Sequence, residues 1–451
     1  MTLGQLHRPP GAGHTHELKN WSHSLGSGAV PHKPTKQRVR PAGRTHTKVV
    51  YLKVVYLYVR QRLSLQLTGR CAHRLACTMS LLEFLTTFLW ILCRQGLHGF
   101  STDVLIKPQD YIPAIIPQYT LPLDRPRFIA KPILDLTTYC DEECARGEAG
   151  LSPQDFQEYL SYETVYANGS RTLTTVGVQG INPGNTTSGG WSRKRARRHA
   201  RHKRHIYGTD GRFSISGKRF LLDYPFSTTV RISTGCTGIL VSERHVLTAA
   251  HCVHDGKEYV KGAGRIKVGF LVPHKSSKNM TQPDRLVMRW VRVKRTQVPK
   301  GWMRGPSDLS MDYDYSLLEL RKPHEHPFMK LTVAPPVEDM AGKRIHFSGF
   351  DSDRAGELVY RFCGVEDESA HLIYQHCDAR PGASGSGVYG KVWDAGKKKW
   401  ERKVIGIFSG HQWLEVDGEQ QDYNVAVRFT AMKYAQICYW IKGDYKHCQN
   451  D

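Results

Sequence analysis

The 451-residue chain has no run of 18 apolar residues, and its mean hydropathy is −0.46, which excludes a multi-span membrane protein. Proline and glycine are not in excess and aromatics stand at 10%, which excludes wholesale disorder and a collagen-like polymer. Acidic residues are almost missing from residues 1–78, where Glu17 faces 13 Lys/Arg, and wholly missing from Arg193–Arg204, which holds eight Lys/Arg. These two segments carry +12 and +8 of the formal +23 and leave +3 for everything else. The basicity is local, so no nucleic-acid-binding surface over a whole domain is implied. No metal or nucleotide motif rises above background, and neither a metal nor a cofactor is expected. His199, His202 and His205 recur every third residue in the basic run, where solvent exposure outweighs metal binding.

Residues 81–93 form a 13-residue, mostly apolar run two residues after Met79, followed by the small residues Gly96, Gly99 and Ser101. That is the layout of a secretory signal peptide over 79–101, cut near Gly99 to Ser101. A short buried helix is the alternative, and it fits less well after such Lys/Arg-rich sequence. Residues 1–78 then read as a basic, poorly ordered N-terminal extension. Its repeated Val-Val-Tyr-Leu favours strand aggregation, and its lack of acids also suits a mitochondrial presequence. Beyond the signal, eight of the eleven cysteines remain, an even number suited to disulfides in an oxidising compartment. The sequons at Asn168, Asn185 and Asn279 suit the same compartment, and the expected location is extracellular.

The basic run ends in Arg201-His202-Lys203-Arg204 after a Gly/Asn/Thr/Ser-rich stretch. A solvated charge run, a nuclear signal or a heparin-like polyanion patch is the bland reading. In a secreted chain, basic residues at Arg201, Lys203 and Arg204 in an extended linker suit a proprotein convertase, with Arg195 to Arg198 as a second candidate. Cleavage there divides a propeptide, 102–204, from a domain over 205–451. The propeptide carries a helix candidate at 153–159 and an Asn168-Gly169 hairpin signal. Cys140 and Cys144 are spaced to pair locally, with a link to the later domain as the alternative.

From residue 206 short β-rich runs alternate with turn residues, for example at 237–241, 315–320, 345–348 and 403–408. No long amphipathic helix appears before 431–441. The pattern predicts an all-β barrel or sandwich with a terminal helix.

Three motifs carry chemistry: Leu247-Thr-Ala-Ala-His251-Cys252 with Cys236 sixteen residues earlier, Asp312-Tyr-Asp314 ahead of an apolar strand, and Gly382-Ala383-Ser384-Gly385. A serine hydroxyl needs a base to take its proton during attack, and that base needs a carboxylate to fix its tautomer. In this order the motifs resemble the chymotrypsin/trypsin-like serine protease family over roughly residues 206–441. The resemblance implies two six-stranded antiparallel β-barrels with a C-terminal helix. It implies His251 as base, Asp314 (rather than Asp312) as its partner, and Ser384 (rather than Ser386) as nucleophile. The N–H groups of Gly382 and Ser384 would form the oxyanion hole, worth about 3–4 kcal/mol per donor. It also implies the bridges Cys236–Cys252 and Cys363–Cys377, while Cys438 and Cys448 are placed to tie the terminal helix to the tail.

Two positions depart from the family pattern. Ala383 stands where an aspartate usually receives the new N-terminal ammonium, so activation by that ion pair is not expected. Asp378, Ser409 and His411 stand at the specificity pocket, but Arg380 is placed to neutralise Asp378 and His411 to obstruct the pocket. The expectation is a secreted serine endopeptidase acting on protein or peptide substrates. The rival is a catalytically weak or inert binding protein on the same scaffold.

Overall fold

The computed structural model describes residues 112–140, 152–180, 206–216, 218–273, 286–304, 310–340, 342–394, 396–416 and 419–448, all within the unit Phe100–Asp451. The expected extension and signal segment lie outside the described residues. So do Arg201, Lys203 and Arg204 with the rest of the basic run, and also Cys144, Asn185 and Asn279.

The strands, in chain order, are β1 (Ala114–Leu123), β2 (Phe128–Ala130), β3 (Thr137–Cys140), β4 (Tyr162–Tyr166), β5 (Arg171–Gln179), β6 (Phe213–Ser214), β7 (Thr229–Ile232), β8 (Thr237–Leu240), β9 (His245–Thr248) and β10 (Tyr259–Val260). They continue as β11 (Lys267–Pro273), β12 (Leu286–Pro299), β13 (Ser316–Leu320), β14 (Arg344–Gly349), β15 (Val359–Glu368), β16 (Leu372–Gln375), β17 (Gly387–Asp394), β18 (Lys399–Val416) and β19 (Glu419–Arg428). Helix α1 (Pro153–Leu160) lies in the N-terminal part, and α2 (Ala431–Lys442) closes the fold.

Strands β7, β8, β9, β13, β12 and β11 pair in that order, and β11 pairs back onto β7, closing one antiparallel barrel. Strands β14, β17, β18, β19, β16 and β15 close a second one the same way. The two-barrel expectation is met. The reason is local: β7 alternates half-buried and buried positions, sending Val230 and Ile232 inward, whereas every residue of β13 is buried. Helix α2 begins at Thr430, whose side chain accepts from the Lys433 N–H, and ends at Gly443 in the left-handed conformation. No helix among the described residues is long and apolar enough to cross a membrane.

The region read as a propeptide is built into this fold. Hairpin β4–β5 turns at Asn168-Gly169, where Gly169 takes a positive φ and Asn168 is exposed. Strand β4 adds to β12, so the first barrel's sheet extends through β5 to β1. The Pro-rich stretch gave no strand signal, yet it forms β1. As an edge strand, β1 tolerates Pro117 and Pro122, which cannot donate to a ladder. Ile115, Leu160, Val165 and Val176 join the main core. Glu163 is buried between Arg171 and the Tyr259 hydroxyl, and Gln436 of α2 donates to the Leu160 carbonyl.

Because Leu160 is sealed in the shared core, Leu160→Ala should destabilise the entire unit by about 2–5 kcal/mol. A single, shifted denaturant transition is the expected result; an unchanged barrel transition with separate loss of the N-terminal part would contradict it.

Candidate active site

His251 follows β9 in a one-turn 3₁₀ helix (Ala250–Cys252), and the Cys236–Cys252 disulfide ties that turn to the start of β8. Asp314 lies just before β13, which pairs with β9, so the ladder itself delivers the carboxylate to the histidine. Asp314 Oδ1 accepts from the His251 backbone N–H at 2.8 Å, and Oδ2 lies 2.7 Å from His251 Nδ1. A carboxylate only accepts, so Nδ1 carries the proton and Nε2 is left as the acceptor. Oδ2 also accepts from the Ser409 hydroxyl at 2.5 Å. All of these groups are fully buried.

Ser384 sits in the loop before β17. Gly382 and Gly385 both have positive φ, and a Cβ on either would fall within about 2.6 Å of backbone oxygen, so only glycine fits. The Ser384 carbonyl accepts from the Thr237 N–H at 2.9 Å, which brings this second-barrel loop against the first barrel and the His251 turn. Ser384 Oγ donates to the Ser409 carbonyl at 3.1 Å, while His251 Nε2 is buried with no hydrogen-bond partner among the described residues. The three residues named from the motifs therefore meet in one region, with the hydroxyl turned to a carbonyl.

The cleft is filled from within the chain. The Gly382 N–H donates to the Leu134 carbonyl at 3.2 Å, and Ser384 Oγ lies 3.5 Å from that same oxygen. The Leu136 carbonyl accepts from the His411 N–H at 2.9 Å, and β3 continues alongside β18 in parallel.

The pocket residues fall differently from their expected roles. Asp378 is buried, and its two oxygens accept from the backbone N–H groups of Tyr207 and Gly211, each at 2.6 Å. It holds the chain's own segment, and Tyr207 packs on His376 beside it. Burial, reinforced by the Asp422 carboxylate, raises the Tyr207 phenol far above its usual range. Arg380 pairs at 4.0 Å with Asp353, not with Asp378. Ser409 supports Asp314. His411 is buried, 3.7 Å from Asp422 and edge-on to Trp413.

A buried ion cluster went unread in the sequence. Arg212 reaches Asp351 at 2.9 Å and Asp353 at 2.7 Å, and Arg361 reaches the other oxygen of Asp351 at 2.5 Å. Asp351 also accepts from the Arg380 N–H at 3.1 Å, and Ser352 N–H donates to the Pro381 carbonyl, so this cluster braces the loop carrying Gly382 and Ser384. The sequence shows only two short Asp/Arg groups, Asp210 with Arg212 and Asp351 with Asp353 and Arg354, with nothing to link them. Ala383 is buried among apolar groups.

The other expected bridges are formed: Cys363–Cys377 and Cys438–Cys448. Cys140 is disulfide-bonded, and its partner lies outside the described residues. Cys236 and Cys252 cluster with His251, but their sulfurs are bonded to each other and offer no thiolate to a metal.

Two closed barrels joined at a His, an Asp and a Ser define a trypsin-like serine protease scaffold. The Trypsin family matches residues 220–436. Serine protease 23 of Mus musculus is 55% identical over 350 residues, covering 76% of this chain and 91% of that protein. The Homo sapiens protein of the same name is 54% identical over 353 residues, with the same coverage. Inactive serine protease 35 of Macaca mulatta is 46% identical over 383 residues, 75% of this chain and 92% of that protein. A solved chain titled "Structure of Glu endopeptidase in complex with MPD" overlaps 52% of this chain and 98% of its own, at 18% identity and TM-score 0.39. This chain belongs to the trypsin family of serine proteases.

Two measurements follow from the buried groups. Asp351→Asn takes the paired carboxylate from the buried Arg361, while Arg212 keeps Asp210 and Asp353, and should cost about 3–5 kcal/mol in a denaturant titration. His254, three residues after His251, is buried edge-on to Tyr259. Burial pushes its pKa down to about 4, against the partial opposition of Asp255 and Glu258. Its usual value is 6.5, so between 6.5 and about 4 the unfolded chain binds more protons than the folded one. Stability should therefore fall as pH drops through that window. His254→Gln should reduce this slope, leaving the part due to His245 and His346, which burial also lowers to about 4; an equal slope in both proteins would assign it elsewhere.

Proposed function

We propose that this chain is a secreted serine endopeptidase, made as a precursor over 102–451 and cut by a proprotein convertase near Arg204. Ser384 attacks the substrate carbonyl, His251 takes its proton and later returns it to the leaving amine, and Asp314 fixes the imidazole. The N–H groups of Gly382 and Ser384 receive the developing oxyanion. The observation that carries this reading is the Asp314 carboxylate on His251 Nδ1, which leaves a neutral Nε2 ready to accept a proton. Attack requires Ser384 to rotate from the Ser409 carbonyl toward Nε2, a tightening common between resting and substrate-bound sites. Asp378 has no substrate-binding role in this reading, because its oxygens already accept from Tyr207 and Gly211. Glycans on Asn168, Asn185 and Asn279 and a heparin-like partner for Arg193–Arg204 belong to the same secreted reading.

The rival reading, a binding protein without catalysis, is favoured by the Ser384 hydroxyl pointing away from the base and by relatives named inactive. A fluorophosphonate probe decides between them. Labelling should vanish in Ser384→Ala and fall about four orders of magnitude in Asp314→Asn, where the amide turns the imidazole to the wrong tautomer. Folded protein that never labels, even with its cleft cleared, would favour the rival.

A further inference from the structure

We infer that residues 133–136 of this chain are a resident peptide strand bound in the cleft over Ser384, and that this strap keeps the protein latent. The latency half rests on the hydrolase reading above; the strand-binding half does not.

Two backbone donors of the cleft wall are spent on this segment. Gly382 N–H has one proton, and the Leu134 carbonyl holds it; His411 N–H has one, and the Leu136 carbonyl holds it. The contact then continues as a β-ladder, with Thr137 to Cys140 in register with His411 to Leu414. This is strand addition to an open sheet edge, in which main-chain bonds supply affinity and side-chain seats supply selectivity. The seats are shaped for it. The wall has glycine at 235 and at 410, and a Cβ there would stand 2.8 Å from Leu134 Cδ2 and 2.3 Å from the Leu136 carbonyl oxygen. Leu134 and Leu136 are half-buried and pack on the main core. An incoming carbonyl cannot take the Gly382 donor until the Leu134 carbonyl leaves it.

Cutting near Arg204 does not remove the strap. Its own chain is anchored on both sides, by β2 pairing with β10 before it and by β4 pairing with β12 after it. A processed molecule is then a two-chain protein with its cleft still filled, and reactivity scales with the fraction of time the strap is open.

The test uses the full secreted protein and the double variant Leu134→Asp/Leu136→Asp, with folding of both checked by their denaturant transitions. Hydrogen exchange should show the Gly382 and His411 amides protected in the wild type and opened in the variant. A fluorescent peptide copying residues 131–139 should bind the variant and not the wild type. Ser384-dependent fluorophosphonate labelling should rise about tenfold or more in the variant, fall again when the peptide is added, and be the same in cut and uncut wild type. Freely exchanging wild-type amides, or a folded variant that ignores the peptide, would overturn the strand site. Equal labelling of wild type and variant would overturn latency. Peptide uptake with no labelling of either protein would support the strand site and sink the hydrolase reading instead.

Discussion

Everything at the centre of this molecule is arranged around one buried carboxylate, that of Asp314. It accepts from the backbone and the ring of His251 in the first barrel and from the hydroxyl of Ser409 in the second. A lone carboxylate at such depth would cost several kcal/mol, and these donors are what let it stay there. The Ser409 bond is the one of these that crosses between the barrels. Fold and site thus rest on a single electrostatic requirement.

Around that point the structure is built in shells that each answer a polar demand. The loop bearing Ser384 is sharp enough to need glycine at 382 and 385, and the Asp351 cluster with Arg212 and Arg361 braces its entry. That cluster places a cation from the segment after the basic run against the loop, through a side chain. Its formation needs no new chain end, consistent with an uncharged residue at 383. The segment 206–212 is held by Asp378, and residues 133–136 are held by Gly382 and His411.

What was readable in the sequence was whatever depends on neighbours in the chain. The Ala-Ala-His-Cys turn, the glycine-flanked serine, the Asn-Gly hairpin and helix α1 follow from local backbone preferences, and each lies where the sequence put it. The bridges Cys236–Cys252 and Cys363–Cys377 were implied by family resemblance. Strand β1 was missed because its prolines suppress the usual signal, and an edge position is a property of the sheet, not of the ten residues in it. The role of Asp378 stayed open in the sequence because nothing in its flanking residues reveals that the Tyr207 and Gly211 amides reach it from about 170 residues away.

The sequence by itself determined the family, the strand-rich architecture and the identity of the His, Asp and Ser that come together, since these rest on residue type, spacing and order. Only the tertiary structure decided that the N-terminal part is woven into the first barrel, that its backbone fills the cleft, and that Asp378 and Ser409 serve the chain itself. The physical reason is that backbone N–H and C=O groups are identical at every residue. Which of them pair across a cleft depends on packing, and no side-chain pattern announces it.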